Sequence, residues 1–162
     1  MSKSLKSVKA VIFDMQETLY TNSRLYPDTE QFLKNLMEKG IALAVLSNAP
    51  KTVVENILAE FKLTKFFDSI ICAPDYDTTK PDPMLIGITL AVLGDAVGKK
   101  IGKNQILFIG DRPSKDIRCA KQGGIKAVRV LRGLYTTEIP EDKYETADFE
   151  VKDFKEVQKL LA

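Results

Sequence analysis

Four sets of polar residues stand out because each follows a short apolar run. Asp14 ends VKAVIF, Ser47 and Asn48 follow ALAVL, Lys80 lies beyond a loop after DSIIC, and Asp111 and Asp116 come after QILFI and its glycine. Taken singly, such residues say little, because polar residues commonly end strands. Taken in order, they are the parts that phosphoryl transfer needs. A carboxylate such as Asp14 can attack phosphorus and become an aspartyl phosphate. A phosphate dianion repels that carboxylate, so a cation must stand between them. Asp14, Asp111 and Asp116 offer hard oxygens to Mg²⁺, which takes one or two carboxylates and keeps several waters. Ser47 has a hydroxyl to donate to a phosphate oxygen. The amides from Asn48 onward, at a helix start, would hold an anion. Lys80 adds a positive charge that neutralises phosphate and nucleophile together. Catalysis of this kind is mostly positioning and electrostatics.

These residues need a frame, and the apolar pattern supplies one. Strands are expected at Val8–Phe13, Ala42–Leu46, Asp68–Cys72, Gln105–Ile109 and Ile125–Leu131, with a weak one near Asp148–Val151. Residues 15–26 read as a polar loop. A first helix is expected after Pro27, with Asp28 and Glu30 in its first turn, Phe32, Leu33, Leu36 and Met37 on one face, and Gly40 as its stop. Val53, Val54, Ile57, Leu58 and Phe61 mark a second helix. Pro83–Leu93, closed by Gly94, is a third, and 94–104 a Gly- and Lys-rich connector. Ser114–Gln122 is a fourth, stopped by Gly123 and Gly124, and a last one starts at Asp153. Strands alternating with helices predict an α/β fold: a Rossmann-like, doubly wound parallel sheet with helices on both faces. Ligands of such sheets bind beyond the carboxyl ends of the strands, where the polar residues sit.

Composition narrows the chemistry. The 162 residues form a single domain, 1–162, on length. The hydrophobic fraction is 44% and the charged fraction 28%, a globular mix rather than a disordered one. A net charge of +2 argues against nucleic acid as a partner. There is no histidine, which removes the Ser-His-Asp triad, the Cys-His pair and His-bound zinc. Cys72 and Cys119 lie far apart and read as small buried hydrophobes in a reducing compartment. Residues 1–10 are polar and basic without a signal-peptide core, and the apolar run Ile41–Leu46 is too short to span a bilayer. A cytoplasmic protein with no membrane partner is the expectation.

The chain resembles the haloacid dehalogenase (HAD) superfamily of phosphatases and phosphotransferases. The resemblance rests on VIFDMQETL (11–19), AVLSN (44–48), KPDP (80–83) and IGDRPSKD (109–116), and it runs from about residue 8 to residue 131. It implies a Rossmann-like core, Mg²⁺ dependence, Asp14 as nucleophile, and Ser47 and Lys80 as phosphate ligands. It also implies Asp14 and Asp111 as metal ligands with Asp116 in support, and a metal contact from the backbone carbonyl of Gln16. The family's phosphatases carry a second aspartate where this chain has Gln16. That aspartate protonates the leaving group and then activates the hydrolytic water. A carboxamide cannot exchange a proton at neutral pH. Glu17 is the nearest substitute, one position on. Three readings of Gln16 stand together: a slow or leaving-group-restricted phosphatase, a protein that binds a phosphorylated ligand without turnover in a regulatory role, or a substitution introduced into an active enzyme. Family members often insert a cap domain, but Asp14 to Ser47 and Ser47 to Lys80 are each 33 positions, already used by a helix and a strand. A capless core is expected, with residues 15–26 as a flap. An open site suits a bulky or macromolecular phosphorylated substrate, or closure by a neighbouring subunit in a homo-oligomer. Tyr20, Leu25 and Tyr26 are candidates for substrate contact or for packing on the domain's own edge. Asp75, Tyr76 and Asp77 could shape the rim or form a plain acidic turn, and Arg112 could reach an anion or pair with an acid. A two-component receiver is disfavoured, because it wants its acidic pair after the first strand and this chain has it after the fourth.

Overall fold

The computed structural model describes residues 5–162; the first four residues of the polar opening segment lie outside the described residues. The elements are β1 (Ala10–Phe13), a hairpin of β2 (Tyr20–Thr21) and β3 (Arg24–Leu25), α1 (Thr29–Glu38), β4 (Ala42–Ser47), α2 (Lys51–Glu60), β5 (Ser69–Cys72), α3 (Met84–Val97), β6 (Ile106–Gly110), α4 (Arg118–Gln122), β7 (Lys126–Val130), β8 (Phe149–Val151) and α5 (Phe154–Leu161). Six strands form one parallel sheet in the order β5-β4-β1-β6-β7-β8. The chain winds outward from β1 through β4 to β5, then crosses back to β6 on the other side of β1. This is the doubly wound α/β arrangement. The direction switches between β1 and β6, where the loops leaving the two strands diverge to opposite faces and open a crevice beyond their carboxyl ends.

Both faces of the sheet are covered, which is why its strands read as continuous apolar runs rather than alternating ones. Val11, Phe13, Leu43, Val45, Leu107 and Ile109 pack against Leu33, Leu36, Val54, Leu58, Phe154 and Val157 of α1, α2 and α5. Ala10, Ile12, Ala44, Leu46 and Phe108 face Leu85, Ile86, Leu93, Cys119 and Ala120 of α3 and α4. Phe13 is held edge-on by the rings of Phe32, Phe67 and Phe154 at 6.0, 6.1 and 5.9 Å. Each such pair is worth about 0.5–1.5 kcal/mol beyond area burial. The residue before Asp14 is therefore fixed on one whole face. Both cysteines are free and buried, and burial pushes the Cys119 thiol up to about 12. Among the described residues no helix is long and apolar enough to cross a membrane.

The structure departs from the sequence expectation in four places. Residues 15–26 are not only loop: they hold the β2–β3 hairpin, turned at Asn22 with φ 52°. Two-residue strands are too short to show a period. α3 does not close at Gly94 but runs to Val97. The left-handed residue is Gly98, at φ 73°, and the carbonyl of Gly94 accepts from the amide of Lys99. Asp28 stands at the N-cap of α1 rather than in its first turn, and its carboxylate makes no capping bond; it receives Arg132 at 2.9 and 3.1 Å and the amide of Phe154 at 2.8 Å. The helix expected from Ser114 begins as a wide π turn over Pro113–Ile117, and only Arg118–Gln122 is α-helical.

Candidate active site

β1 and β6 lie side by side in register, Phe13 opposite Ile109, so Asp14, one residue on, and Asp111, two residues on, emerge together at the switch point. β4 flanks β1 on the other side and delivers Ser47. Lys80, only 3% exposed, reaches in from the loop before α3. Its Nζ donates to Asp14 Oδ1 at 2.8 Å, to Asp116 Oδ1 at 2.7 Å and to the carbonyl of Leu46 at 3.2 Å. The π turn explains how Asp116 gets there. The amides of Asp116 and Ile117 both donate to the carbonyl of Arg112, at 2.9 and 3.3 Å. The widened turn folds Asp116 back, and its Oδ2 accepts from the amides of Asp111 and Arg112 at 3.3 and 3.2 Å. Gly110 leaves the room: a Cβ there would stand 2.5 Å from Asp116 Cβ, inside a buried turn. Gly110→Ala should therefore cost about 1–3 kcal/mol of stability, the usual penalty of overpacking. Urea unfolding checks this, and an unchanged midpoint would mean the turn yields at no cost.

The electrostatics are unbalanced. Three carboxylates, Asp14, Asp111 and Asp116, bring candidate ligand oxygens within 4.8 Å of one another, against one lysine. Burial raises the Asp14 carboxyl, but the charge and hydrogen bonds of Lys80 outweigh that and hold it below its ordinary value. Burial lowers Lys80, yet the two aspartates at its tip push it up instead, so it is charged at any working pH. Asp111 receives no such help. Burial first, then the charges of Asp116 and Asp14, push it far up. Its Oδ2 is buried with no hydrogen-bond partner. A buried carboxylate short of positive charge, in a cluster of hard oxygens, fits a divalent cation such as Mg²⁺.

The structure brings Asp14, Gln16, Ser47, Asn48, Lys80, Asp111 and Asp116 to one cavity of about 400 Å³. The Ser47 Oγ accepts from the amide of Ala49 at 3.1 Å, which leaves its hydrogen free to donate. The helix start expected at Asn48 lies later: α2 begins at Lys51, after Pro50. The Asn48 side chain accepts the amide of Lys80 at 2.7 Å and positions the lysine's backbone. The side chain of Gln16 is exposed in the cavity wall. Glu17 lines the same cavity, but its carboxylate is bonded away from it. It is 2% exposed at φ 64°, and its carboxylate takes the hydroxyl of Thr21 at 3.0 Å and the amide of Leu134 at 3.0 Å. It ties the hairpin to the loop after β7. Thr18 escapes a reading of strand ends: fully buried, its Oγ1 lies 3.2 Å from Asp111 Oδ1 and 3.4 Å from Asp14 Oδ2. Its only sequence signal is its place in DMQETL. Tyr20 lines the cavity, whereas Leu25 packs on the core and Tyr26 lies under the guanidinium of Arg132 at 4.0 Å. Arg112 pairs with an acid, Glu138, at 3.2 Å, and it also lines the cavity. Asp75, Tyr76 and Asp77 form an exposed turn that does not line this cavity.

A parallel sheet whose switch point gathers these groups defines a class, and comparison with known proteins agrees. Residues 2–130 match the model of the haloacid dehalogenase-like hydrolases, and the chain belongs to that family. It is 33% identical over 133 residues to a phosphoserine phosphatase of Thermus thermophilus, covering 82% of this chain and 49% of that protein. It is 31% identical over 150 residues to a phosphoglycolate phosphatase of Mannheimia succiniciproducens, covering 92% of this chain and 62% of that one. The chain thus spans about half to three-fifths of the length of these relatives. Among solved structures, a HAD phosphatase from Thermococcus onnurineus superimposes with a TM-score of 0.80 at 19% identity, covering 96% of this chain and 98% of that one, a likeness of fold. A predicted phosphoglycolate phosphatase from Haemophilus somnus gives a TM-score of 0.72 at 29% identity, over 86% of this chain and 58% of the other.

Proposed function

We propose that this chain is a Mg²⁺-dependent phosphomonoester hydrolase working through an aspartyl phosphate on Asp14. The observation that carries this reading is the pairing of Asp14 with Lys80 at 2.8 Å beside Asp111, whose buried oxygen lacks a partner. The names of the relatives, phosphoserine and phosphoglycolate phosphatase, support the reaction class. Asp14, Asp111 and Asp116, with the Gln16 carbonyl as the family implies, would hold the ion. The ion supplies the positive charge that lets a carboxylate approach a phosphate dianion. Asp14 attacks phosphorus, and Lys80 keeps it ionised and offsets the charge of the phosphate. Ser47 donates to a phosphate oxygen. Water then releases the phosphate and restores the carboxylate. The crevice, flanked by the short hairpin, suits a phosphorylated group on a bulky partner or closure by a second subunit.

Gln16 favours a second reading, phosphate binding without turnover in a regulatory role, because Glu17 is committed to Thr21 and Leu134 and cannot replace the missing acid. Hydrolysis of 4-nitrophenyl phosphate, with and without Mg²⁺, separates the two. The expected result is slow, Mg²⁺-dependent turnover whose kcat rises about 10²–10⁴-fold in Gln16→Asp, since the new carboxylate can activate water for dephosphorylation. Mg²⁺-dependent phosphate binding with no turnover in either form would leave the regulatory reading standing.

A further inference from the structure

The cavity says more about the group that leaves. Where the family's acid would stand, the cavity wall carries the carboxamide of Gln16; Asp14, Asp111 and Asp116 are the residues that would hold the ion, and the Glu17 carboxylate is bonded to Thr21 and the amide of Leu134. One wall is apolar. Val53 is 43% exposed there, Ile57 is beside it, and Tyr20 is braced on the ring of Phe61 at 5.3 Å. An apolar surface left open on a polar cavity is the ordinary lining of a site for an apolar ligand group. The other side carries Tyr135, with the guanidinium of Arg112 at 4.2 Å from its ring.

From these two independent features, and resting on the phosphatase reading above, we propose that the substrate is a phosphate monoester of a phenol. In the first step the Asp14 oxygen bonds to phosphorus as the bond from phosphorus to the aryl oxygen breaks. The bonding pair leaves on that oxygen as a phenolate, which takes its proton from solvent. An alkyl ester would have to expel an alkoxide comparable in basicity to hydroxide, far more basic than a phenolate. A tyrosine-like phenol, of pKa about 10, needs no acid to leave at a useful rate. The ring meanwhile rests on Val53, Ile57 and Tyr20. In the second step water bonds to phosphorus, the Asp14 carboxylate is released, and the water proton goes to bulk solvent.

The test is kcat/KM, which reports the first step, for 4-nitrophenyl phosphate, phenyl phosphate and glycerol 1-phosphate with Mg²⁺, in this chain and in Gln16→Asp. The chain should prefer phenyl over glycerol phosphate by at least about 100-fold, the worth of a missing general acid, and Gln16→Asp should narrow that gap to about tenfold. Val53→Asn should raise KM for phenyl phosphate more than for glycerol phosphate. A phosphotyrosyl peptide in the same series, if preferred to phenyl phosphate, places the phenol on a polypeptide; if not, on a small molecule. The same aryl preference in both forms, or none, overturns the proposal, because another group lining the cavity, such as Tyr20 or Lys115, then supplies the proton. Hydrolysis of no ester by either form overturns the phosphatase reading itself.

Discussion

Asp14→Asn is expected to lose at least about 10⁴-fold in kcat on 4-nitrophenyl phosphate, because the proposed nucleophile is removed. The replacement is nearly isosteric. Its amide oxygen can still accept from Lys80, now 2.8 Å from Oδ1, and Asp116 still holds the lysine at 2.7 Å. The fold should therefore persist, since one of three crowded carboxylates is gone and Phe13 remains clamped by three rings. What disappears is the oxygen proposed above to form the covalent phosphoenzyme. Steady-state kinetics, paired with phosphate binding followed by thermal shift, separates lost chemistry from lost binding. Activity within tenfold of the parent would mean that water attacks phosphorus directly and Asp14 serves only to hold an ion.

Lys80→Met should be the most damaging change to stability. Lys80 Nζ is buried between two carboxylates and lies 5.8 Å from the ring centre of Phe108. Breaking a buried ion pair from one side leaves uncompensated charge and typically costs about 3–5 kcal/mol. For a domain of this size that corresponds to a fall in Tm of roughly 6–20 °C. Methionine keeps most of the volume, so the loss is electrostatic rather than a cavity. Thermal unfolding without divalent cations measures it. Saturating Mg²⁺ should recover part of the loss, since an ion bound only by the folded state stabilises that state by mass action. A Tm within two or three degrees of the parent, about 1 kcal/mol, would show that Asp14 and Asp116 simply protonate when the lysine is gone.

The strands are readable because they are buried on both faces, so ALAVL and ILFI stay apolar over their whole length. A polar residue breaking such a run is conspicuous, and in a doubly wound sheet the ends of β1, β4 and β6 converge. That is why Asp14, Ser47 and Asp111 could be picked from their neighbours alone. Helix ends are less legible. Gly94 and Gly98 both resemble stops, and only the left-handed backbone at Gly98 distinguishes them. The π turn at Pro113–Ile117 has no periodicity of its own; it exists because Asp116 is drawn back to Lys80 and to the amides after Gly110.

Residue type and order along the chain were enough for the α/β winding, the family, the convergent carboxylates and lysine, and the carboxamide of Gln16 two positions after Asp14. Those properties depend on local apolar runs and on what each side chain can do chemically. The fate of individual polar groups depended on the folded path. Thr18 meets Asp111 across 93 positions, Asn48 holds Lys80 across 32, and Glu17 is drawn to Leu134 across 117. No local pattern encodes such partners, because a short polar side chain bonds to whatever donor the packed elements bring within about 3 Å.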